Sequence, residues 1–235
     1  MRSKGIPKDY LKKQERVNRE EHLLQVPDIV PVRIIVSTAK DRKADCPVHI
    51  NMHGGGYMLP HNKDDDLYSA AVAVGIEGIV VDIDYATTPK YAFPVAFDQC
   101  YAVTKWVFEQ CASWGADKNR VSIGGHSAGG NFAAAICLKA AQTGDFLLCL
   151  QVLDYAATDN EVAFETKGVW GILTRFFSRL YVKGKRQMLI DPFVSPVYAP
   201  DDMLHNQPPT LIVAPMNCPF YEANKKFRDR LVKAG

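Results

Sequence analysis

The stretch "VSIGGHSAGGNF", residues 121–132, places Ser127 between an apolar run and an alanine-rich run. Its centre, "GHSAG" at 125–129, fits the pattern G-x-S-x-G, in which small neighbours permit a strained turn that exposes the serine hydroxyl. A helix beginning after Ser127 would direct its free N–H groups at a developing anion. A match this short also arises by chance, and the alternative is a tight glycine turn with an idle serine. Its position between a predicted strand and a predicted helix favours an activated nucleophile.

A second glycine-rich run, "HGGGY" at residues 53–57, follows another predicted strand. Glycines lack side chains, so their backbone N–H groups can approach a substrate oxygen closely. The N–H groups of Gly54, Gly55 and Ala128 would then form an oxyanion hole, the set of donors that stabilises negative charge on an acyl oxygen. Alone, this run would be compatible with a flexible turn. Together, the two motifs point to acyl transfer.

Strands and helices alternate along the chain in a way that would position both motifs. Short apolar runs predict strands at residues 28–37, 76–85, 120–127, 146–155 and 208–215, and residues 47–56 predict a strand that runs into a glycine-rich loop. Helical periodicity predicts helices at residues 9–25, 93–115, 128–144 and 219–235. Pro31 indicates that the first of these strands lies at an edge. Alternation of this kind predicts an α/β fold with a mostly parallel sheet covered on both faces.

The length of 235 residues predicts a single domain, residues 1–235, with an N-terminal arm or cap at residues 1–28. Residues 156–190 break the alternation with an aromatic and basic segment. Such an insertion is typical of a helical cap over a site, and the alternative is a plain surface excursion.

Composition narrows the class of protein. The net charge is +2 and no block of Lys and Arg alternates with aromatics, so we expect no nucleic-acid partner. The most apolar stretch, residues 69–83, contains Glu77 and Asp82, which argues against a membrane span. Residues 1–26 contain no apolar signal segment, and the six cysteines show neither metal-ligand nor disulfide spacing. We therefore expect a cytoplasmic protein with reduced thiols, no metal and no organic cofactor.

Several segments resemble the hormone-sensitive-lipase-like branch of the α/β-hydrolases. They are "HGGGY", "VDIDYATTPKYAFPVAFDQCYAVTKWV", "RVSIGGHSAGGN", "DPFVSPVYA" and "PPTLIV", and the resemblance covers about residues 30–235. It implies an α/β-hydrolase sheet, a helical cap and carboxylesterase activity on small acyl esters. By this resemblance Ser127 is the nucleophile, and Gly54, Gly55 and Ala128 form the oxyanion hole.

The resemblance also implies a substrate pocket, which we expect to be lined by His53, Gly56, Tyr57, Tyr85 and His126. The family usually has an acidic residue where this chain has His126. A histidine directly before the nucleophile generally cannot turn back to it, so we assign His126 to the surroundings of the site and not to a catalytic triad.

The acid and the histidine that would activate Ser127 are not found. In this fold the order is serine, acid, histidine. The acid position after the strand "PPTLIV" is occupied by Asn217 or Cys218, neither a carboxylate, while Glu222 is expected to face solvent and Asp191 to support the cap. All histidines precede the acid position: His22, His49, His53, His61, His126 and His205.

Of these, His205 precedes the last predicted strand, at the end of the sheet opposite to the site. Relatives in the family would continue beyond "RLVKAG" into another strand, the histidine loop and a final helix, so we expect those elements to be missing.

The leading hypothesis is a carboxylic ester hydrolase that acts on small acyl esters through a serine acyl-enzyme, without an identifiable triad acid or histidine. One alternative is a non-hydrolytic protein that binds a small molecule in the same pocket. Another is an inactive, truncated product. The expected partner is a small-molecule ester, with a homodimer as the possible assembly.

Overall fold

Seven β-strands form one sheet in the structure, a computed structural model that describes residues 8–162 and 167–235. The strands are β1 (Val17–Leu24), β2 (Val32–Ala39), β3 (Cys46–Met52), β4 (Ile79–Asp84), β5 (Ala116–His126), β6 (Leu150–Asp154) and β7 (Thr210–Val213). Their order across the sheet is β1-β2-β4-β3-β5-β6-β7. The β1/β2 and β2/β4 pairs are antiparallel, and all other neighbours are parallel.

Helices connect and cover these strands. They are α1 (Lys8–Gln14), α2 (Lys63–Gly75), α3 (Val95–Gln110), α4 (Ala128–Thr143), α5 (Gly168–Tyr181), α6 (Asp201–Leu204) and α7 (Tyr221–Ala234), with 3₁₀ helices at Arg186–Ile190 and Pro196–Tyr198. Helix α4 packs against β3, β5 and β6, while α2 packs against β2 and β4.

The core is built around the central strands of the sheet, which are buried. In β3 and β4, Val48, Ile50, Ile79 and Val81 are all at most 1% exposed. Burying each such side chain contributes about 1.5–3 kcal/mol relative to leaving it in water. The predicted α/β-hydrolase sheet, mostly parallel and covered on both faces, is confirmed.

Most of the predicted elements are found close to their predicted positions. The strands predicted at residues 47–56, 76–85, 120–127, 146–155 and 208–215 correspond to β3, β4, β5, β6 and β7. The predicted helical face of α3 is buried throughout: Phe97, Cys100, Val103, Val107 and Cys111 are each at most 3% exposed. Gly144 ends α4 in the left-handed conformation, with φ of 70°.

The N-terminal predictions were wrong in two respects. Residues 9–25 do not form one helix, because α1 ends at Gln14 and β1 begins at Val17. Nor is the strand after Pro31 an edge strand, since β1 pairs with β2 over its whole length and takes the edge. The strand β1 is exposed along its middle, so its side chains carry no alternating pattern that would have revealed it.

Helix α2 was missed, although its start has a recognisable signal. Asn62 caps the helix: its side chain accepts a hydrogen bond from the Asp64 N–H at 2.8 Å, while the Asp65 carboxylate accepts one from the Asn62 N–H at 2.8 Å. This reciprocal arrangement is a capping box, and its acidic residue stands three positions after the cap.

The described residues contain no helix that has both the length and the hydrophobicity needed to cross a membrane. The cysteines are free thiols; four are buried, Cys149 is exposed and Cys218 is half-buried.

The burial of His49 in β3 predicts a pH dependence of stability. Its Nδ1 lies 2.9 Å from the Ser122 hydroxyl, and burial lowers its pKa from 6.5 to about 4. Below pH 6.5 His49 therefore binds a proton in the unfolded chain but stays neutral in the folded chain, so the free energy of unfolding falls as the pH drops. At pH 5 the loss is about 2 kcal/mol relative to neutral pH.

We expect His49→Gln to remove that share of the pH dependence. Urea unfolding of both proteins at pH 7 and pH 5 measures it. An unchanged difference between the two pH values in the variant would contradict this assignment.

Candidate functional site

Ser127 occupies a strained turn between β5 and α4. Its backbone has φ of 55° and ψ of −116°, a conformation that residues other than glycine rarely adopt. The Ser127 N–H donates to the Asp154 carbonyl at 2.9 Å, and the Ser127 carbonyl accepts from the Asn131 N–H at 3.1 Å. These bonds hold the turn at the carboxyl end of the parallel strands, where ligands bind in open α/β sheets.

The turn requires the glycines that flank it. A Cβ on Gly125 would lie 2.5 Å from the Met52 carbonyl oxygen, and a Cβ on Gly129 would overlap the same oxygen. A Cβ on Gly130 would lie 2.6 Å from the Cβ of Ala156. The turn at Ser127 therefore packs directly on the backbone of β3, and only glycine fits at these contacts.

The glycine run at residues 54–56 lies beside this turn. Gly55 has φ of 117°, and its carbonyl accepts hydrogen bonds from the N–H groups of Met58 and Leu59. A Cβ on Gly54 would lie 2.9 Å from the His126 ring. No backbone or side-chain hydrogen bond between described residues uses the N–H of Gly54 or Gly55. Ala128 is the first residue of α4, so its N–H has no carbonyl of a preceding helical turn as acceptor.

One cavity of about 840 Å³ brings most of the predicted site residues together. Of those predicted, its wall contains Gly54, Gly55, Gly56, Tyr57, His126, Ser127, Ala128, Asn217 and Cys218. The rest of the wall includes Trp170, Leu173 and Phe177 of α5, which lies in the segment predicted as a cap. This volume is in the range of small-molecule sites.

His53 and Tyr85, which were predicted to line the pocket, lie behind its wall. They are 1% and 2% exposed and are stacked on each other, with ring centroids 4.1 Å apart. The Tyr85 hydroxyl donates to the His53 carbonyl at 2.7 Å, and His53 Nδ1–H donates to the Gly54 carbonyl at 2.7 Å. Burial lowers the pKa of His53, so the ring is neutral and supports the glycine run from below.

Tyr57 connects the glycine run to α5. Its ring stacks on that of Tyr181, with centroids 3.8 Å apart, and its hydroxyl accepts a hydrogen bond from the Asn160 side chain at 2.9 Å. Next to it, the ring of Phe177 fills the space that a Cβ on Gly56 would need, at 2.5 Å. Sequence reasoning missed both residues, because Asn160 lies in an irregular stretch after β6 and Phe177 lies in α5, and neither belongs to a recognised motif.

His126 points away from a triad geometry and towards the start of α2. Its Nε2 lies 3.5 Å from the Asp65 carboxylate, which also closes the capping box of α2. Burial raises the pKa of Asp65, but the interactions with His126 and the Asn62 N–H outweigh it, so that the pKa lies below its usual value. Asp65 was not predicted as a site residue; its place three positions after Asn62 was the available signal.

Among the described residues, the cavity wall holds no carboxylate at the acid position and no histidine except His126. Asn217 and Cys218 both line the cavity, as the sequence placed them. His205 lies elsewhere, with its Nδ1–H donating to the Ala234 carbonyl at 2.9 Å, and Glu222 pairs with Lys225 at the surface. Among described residues, no hydrogen bond is made by the Ser127 hydroxyl, and no group of three or more His, Cys, Asp or Glu could hold a metal ion.

The backbone contact at Gly129 predicts that this position does not tolerate a side chain. Gly129→Ala should destabilise the fold by at least about 2 kcal/mol, because the methyl group meets a backbone oxygen that cannot move away. Gly75→Ala is the matched control, since a Cβ there meets nothing within 4 Å. We expect Gly75→Ala to leave stability unchanged or to raise it, and urea unfolding compares the two. Equal effects of both substitutions would contradict the packing argument.

The double role of Asp65 predicts a difference between neighbouring aspartates. Asp65→Ala removes the acceptor of the Asn62 N–H and the partner of His126, and should cost about 1–2 kcal/mol. Asp64→Ala alters an exposed side chain in the same turn and should cost less than about 0.5 kcal/mol. Thermal unfolding of the two variants measures the difference. A cost at Asp64 as large as that at Asp65 would mean that helix-dipole charge, not the capping box, dominates.

Comparison with known proteins agrees with this architecture. Residues 49–235 match the family described as "alpha/beta hydrolase fold". "Esterase LipI" of Mycobacterium tuberculosis is 36% identical over 116 residues, 49% of this chain and 36% of that protein. "Carboxylesterase NlhH" of the same species is 35% identical over 129 residues, 55% of this chain and 40% of that protein.

A solved structure described as a hyperthermophilic esterase from the archaeon Pyrobaculum calidifontis superposes with a TM-score of 0.85 at 26% identity, over 97% of this chain and 74% of that one. The matches thus span well under half of the two mycobacterial relatives. The family match covers the sheet from β3 onwards, the serine turn and the cavity. This chain belongs to the α/β-hydrolase family, in the hormone-sensitive-lipase-like branch that its motifs resemble.

Proposed function

We propose that the protein hydrolyses carboxylic esters of small acyl groups, with Ser127 as the nucleophile. The observation that carries this proposal is the meeting of two strained backbone segments in one cavity. The serine turn at residues 125–129 and the glycine run at 54–56 both contribute to the wall of this cavity, and the N–H groups of Gly54 and Gly55 have no hydrogen-bond partner among the described residues. The names of the relatives, an esterase and a carboxylesterase, support the reaction class.

In the first step, Ser127 Oγ attacks the ester carbonyl carbon. A bond forms between them, and the carbonyl π electrons move to the oxygen, which the N–H groups of Gly54, Gly55 and Ala128 stabilise. When the carbonyl re-forms, the bond to the alkoxy oxygen breaks, and the alcohol leaves with the proton lost by Oγ. Water then attacks the acyl-enzyme by the same route and releases the acid.

The wall of the cavity suits a substrate with apolar groups on either side of the ester. Trp170, Leu173 and Phe177 of α5 contribute apolar surface to the same cavity wall as the serine turn and the glycine run. A mostly apolar wall with a few convergent polar groups is typical of small-molecule sites.

The described residues supply Ser127 with no histidine in hydrogen-bonding position. A base normally contributes about 10⁴–10⁶ to kcat, while donors to the oxyanion retain part of the catalysis. We therefore propose slow hydrolysis by this chain, with rates set by the oxyanion donors and by the positioning of the ester in the cavity.

Ser127→Ala should abolish the slow release of p-nitrophenol from p-nitrophenyl acetate and also prevent labelling by a fluorophosphonate probe. Ser113→Ala, at an exposed serine outside the cavity, serves as the control and should leave both readouts unchanged. Turnover that survives in Ser127→Ala would contradict the role of this serine, and absence of turnover and labelling in the unmodified protein would contradict the hydrolase proposal.

A second candidate function, binding of a small molecule without hydrolysis, is favoured by one observation. Asn217 and Cys218 occupy the cavity wall where the family carries a carboxylate. A binder should be stabilised thermally by 4-nitroacetanilide, the unreactive amide counterpart of p-nitrophenyl acetate, while showing no turnover of the ester. An inactive product would show neither effect.

A further inference from the structure

Helix α5 is oriented with its apolar side outwards. The residues that it buries are Gly171, Thr174, Ser178 and Tyr181. The residues that it exposes include Val169, Trp170, Ile172, Leu173 and Phe176, which are 72%, 65%, 62%, 39% and 49% exposed. An amphipathic helix in a globular protein normally does the opposite, turning its apolar stripe to the core.

These five side chains, which we call the α5 apolar face, lie along one side of a helix of 14 residues. Three or four residues separate Val169, Leu173 and Phe176, so they are neighbours on the helix surface. Contiguous exposed apolar surface is unfavourable in water and marks a site of interaction.

The charged residues of α5 and of the segment that follows it, residues 167–190, are all basic. Residues 167–190 contain six Lys or Arg and no Asp or Glu, whereas the whole chain has 28 and 26, so the rest of the chain is net acidic. Lys167, Lys183 and Lys185 are exposed, and within the described residues none of them forms an ion pair. Arg186 pairs with Glu161.

We propose that the α5 apolar face docks on an anionic lipid surface. The apolar side chains would enter the boundary between headgroups and acyl chains, while Lys167, Lys183 and Lys185 contact the anionic headgroups. Apolar burial combined with attraction of basic residues is how amphipathic helices bind at membrane surfaces. The helix lies on the surface in this arrangement and does not cross it.

A second copy of the chain fits this face less well. In a symmetric dimer, the same patch of each subunit meets its counterpart. Two α5 helices and the residues that follow them would then place lysines near lysines. Residues 167–190 contain no carboxylate, and the nearby Glu161 already pairs with Arg186. An anionic lipid surface supplies the missing negative charge.

The docked face adjoins the cavity. Trp170 and Leu173 are exposed at this face and also line the cavity wall that contains Ser127. A lipid surface held at α5 would therefore lie beside the cavity, where esters dissolved in lipid could enter. This last link rests on the proposed hydrolase function, whereas the docking itself does not.

Flotation of the full chain with vesicles tests the docking. We expect binding to phosphatidylcholine vesicles that contain phosphatidylserine, weaker binding to phosphatidylcholine alone, and loss of binding at high salt. Ile172→Ser/Phe176→Ser should lower the bound fraction about tenfold or more, because it removes two of the inserted side chains. Lys183→Glu/Lys185→Glu should also lower it about tenfold or more, but only for the anionic vesicles.

The matched control is Leu147→Ser/Val232→Ser, at apolar residues that are 83% and 75% exposed outside this face. It should bind as the unmodified protein does, and circular dichroism checks that every variant is folded. Ser127→Ala should also bind normally, so a failure of hydrolysis and a failure of docking are told apart. The proposal would be overturned if the protein did not bind anionic vesicles, or if the control variant lost as much binding as Ile172→Ser/Phe176→Ser. It would also be overturned if light scattering showed a dimer that Ile172→Ser/Phe176→Ser dissociates.

Discussion

The site depends on a contact between two backbones in which no side chain fits. Where β5 ends, Gly125 and Gly129 both rest against the carbonyl oxygen of Met52 at the end of β3. Adjacent parallel strands already lie about 4.8 Å apart, and the turn carries the chain over the neighbouring strand before α4 begins. The strained backbone of Ser127 persists because the sheet on one side and the buried helix α4 on the other leave it no alternative.

This constraint explains why the serine turn was predictable from the sequence. The close backbone contact requires glycine at fixed positions around the serine, and these glycines can be read directly in "GGHSAGG". The central strands were equally readable, because β3, β4 and β5 contain buried apolar residues such as Ile50, Val81 and Ile123. Strand β1 could not be predicted in this way, because its exposed positions do not require apolar side chains. Its position is fixed by backbone pairing with β2, which leaves little trace in side-chain type.

Other features were invisible because they depend on which way a side chain turns. The sequence places His53 and Tyr85 near the glycine run, but it does not say that the two rings stack on each other behind the cavity wall. In the same way, the periodicity of α5 shows that the helix has an apolar side without showing that this side faces outwards. The pairing of His126 with Asp65 joins residues far apart in the chain, and it gives the histidine beside the serine a partner other than the serine.

The contacts between α5 and the glycine run have a consequence for substrate size. Phe177 packs on Gly56, and Tyr181 stacks on Tyr57, so the helix and the glycine run that line the cavity share one set of contacts. The two therefore move as one mechanical unit. A ligand too bulky for the cavity cannot push the helix aside without also shifting the glycine run. For the hydrolase that we propose, such a shift would misplace the N–H groups of Gly54 and Gly55, so that bulky esters would react slowly as well as enter poorly.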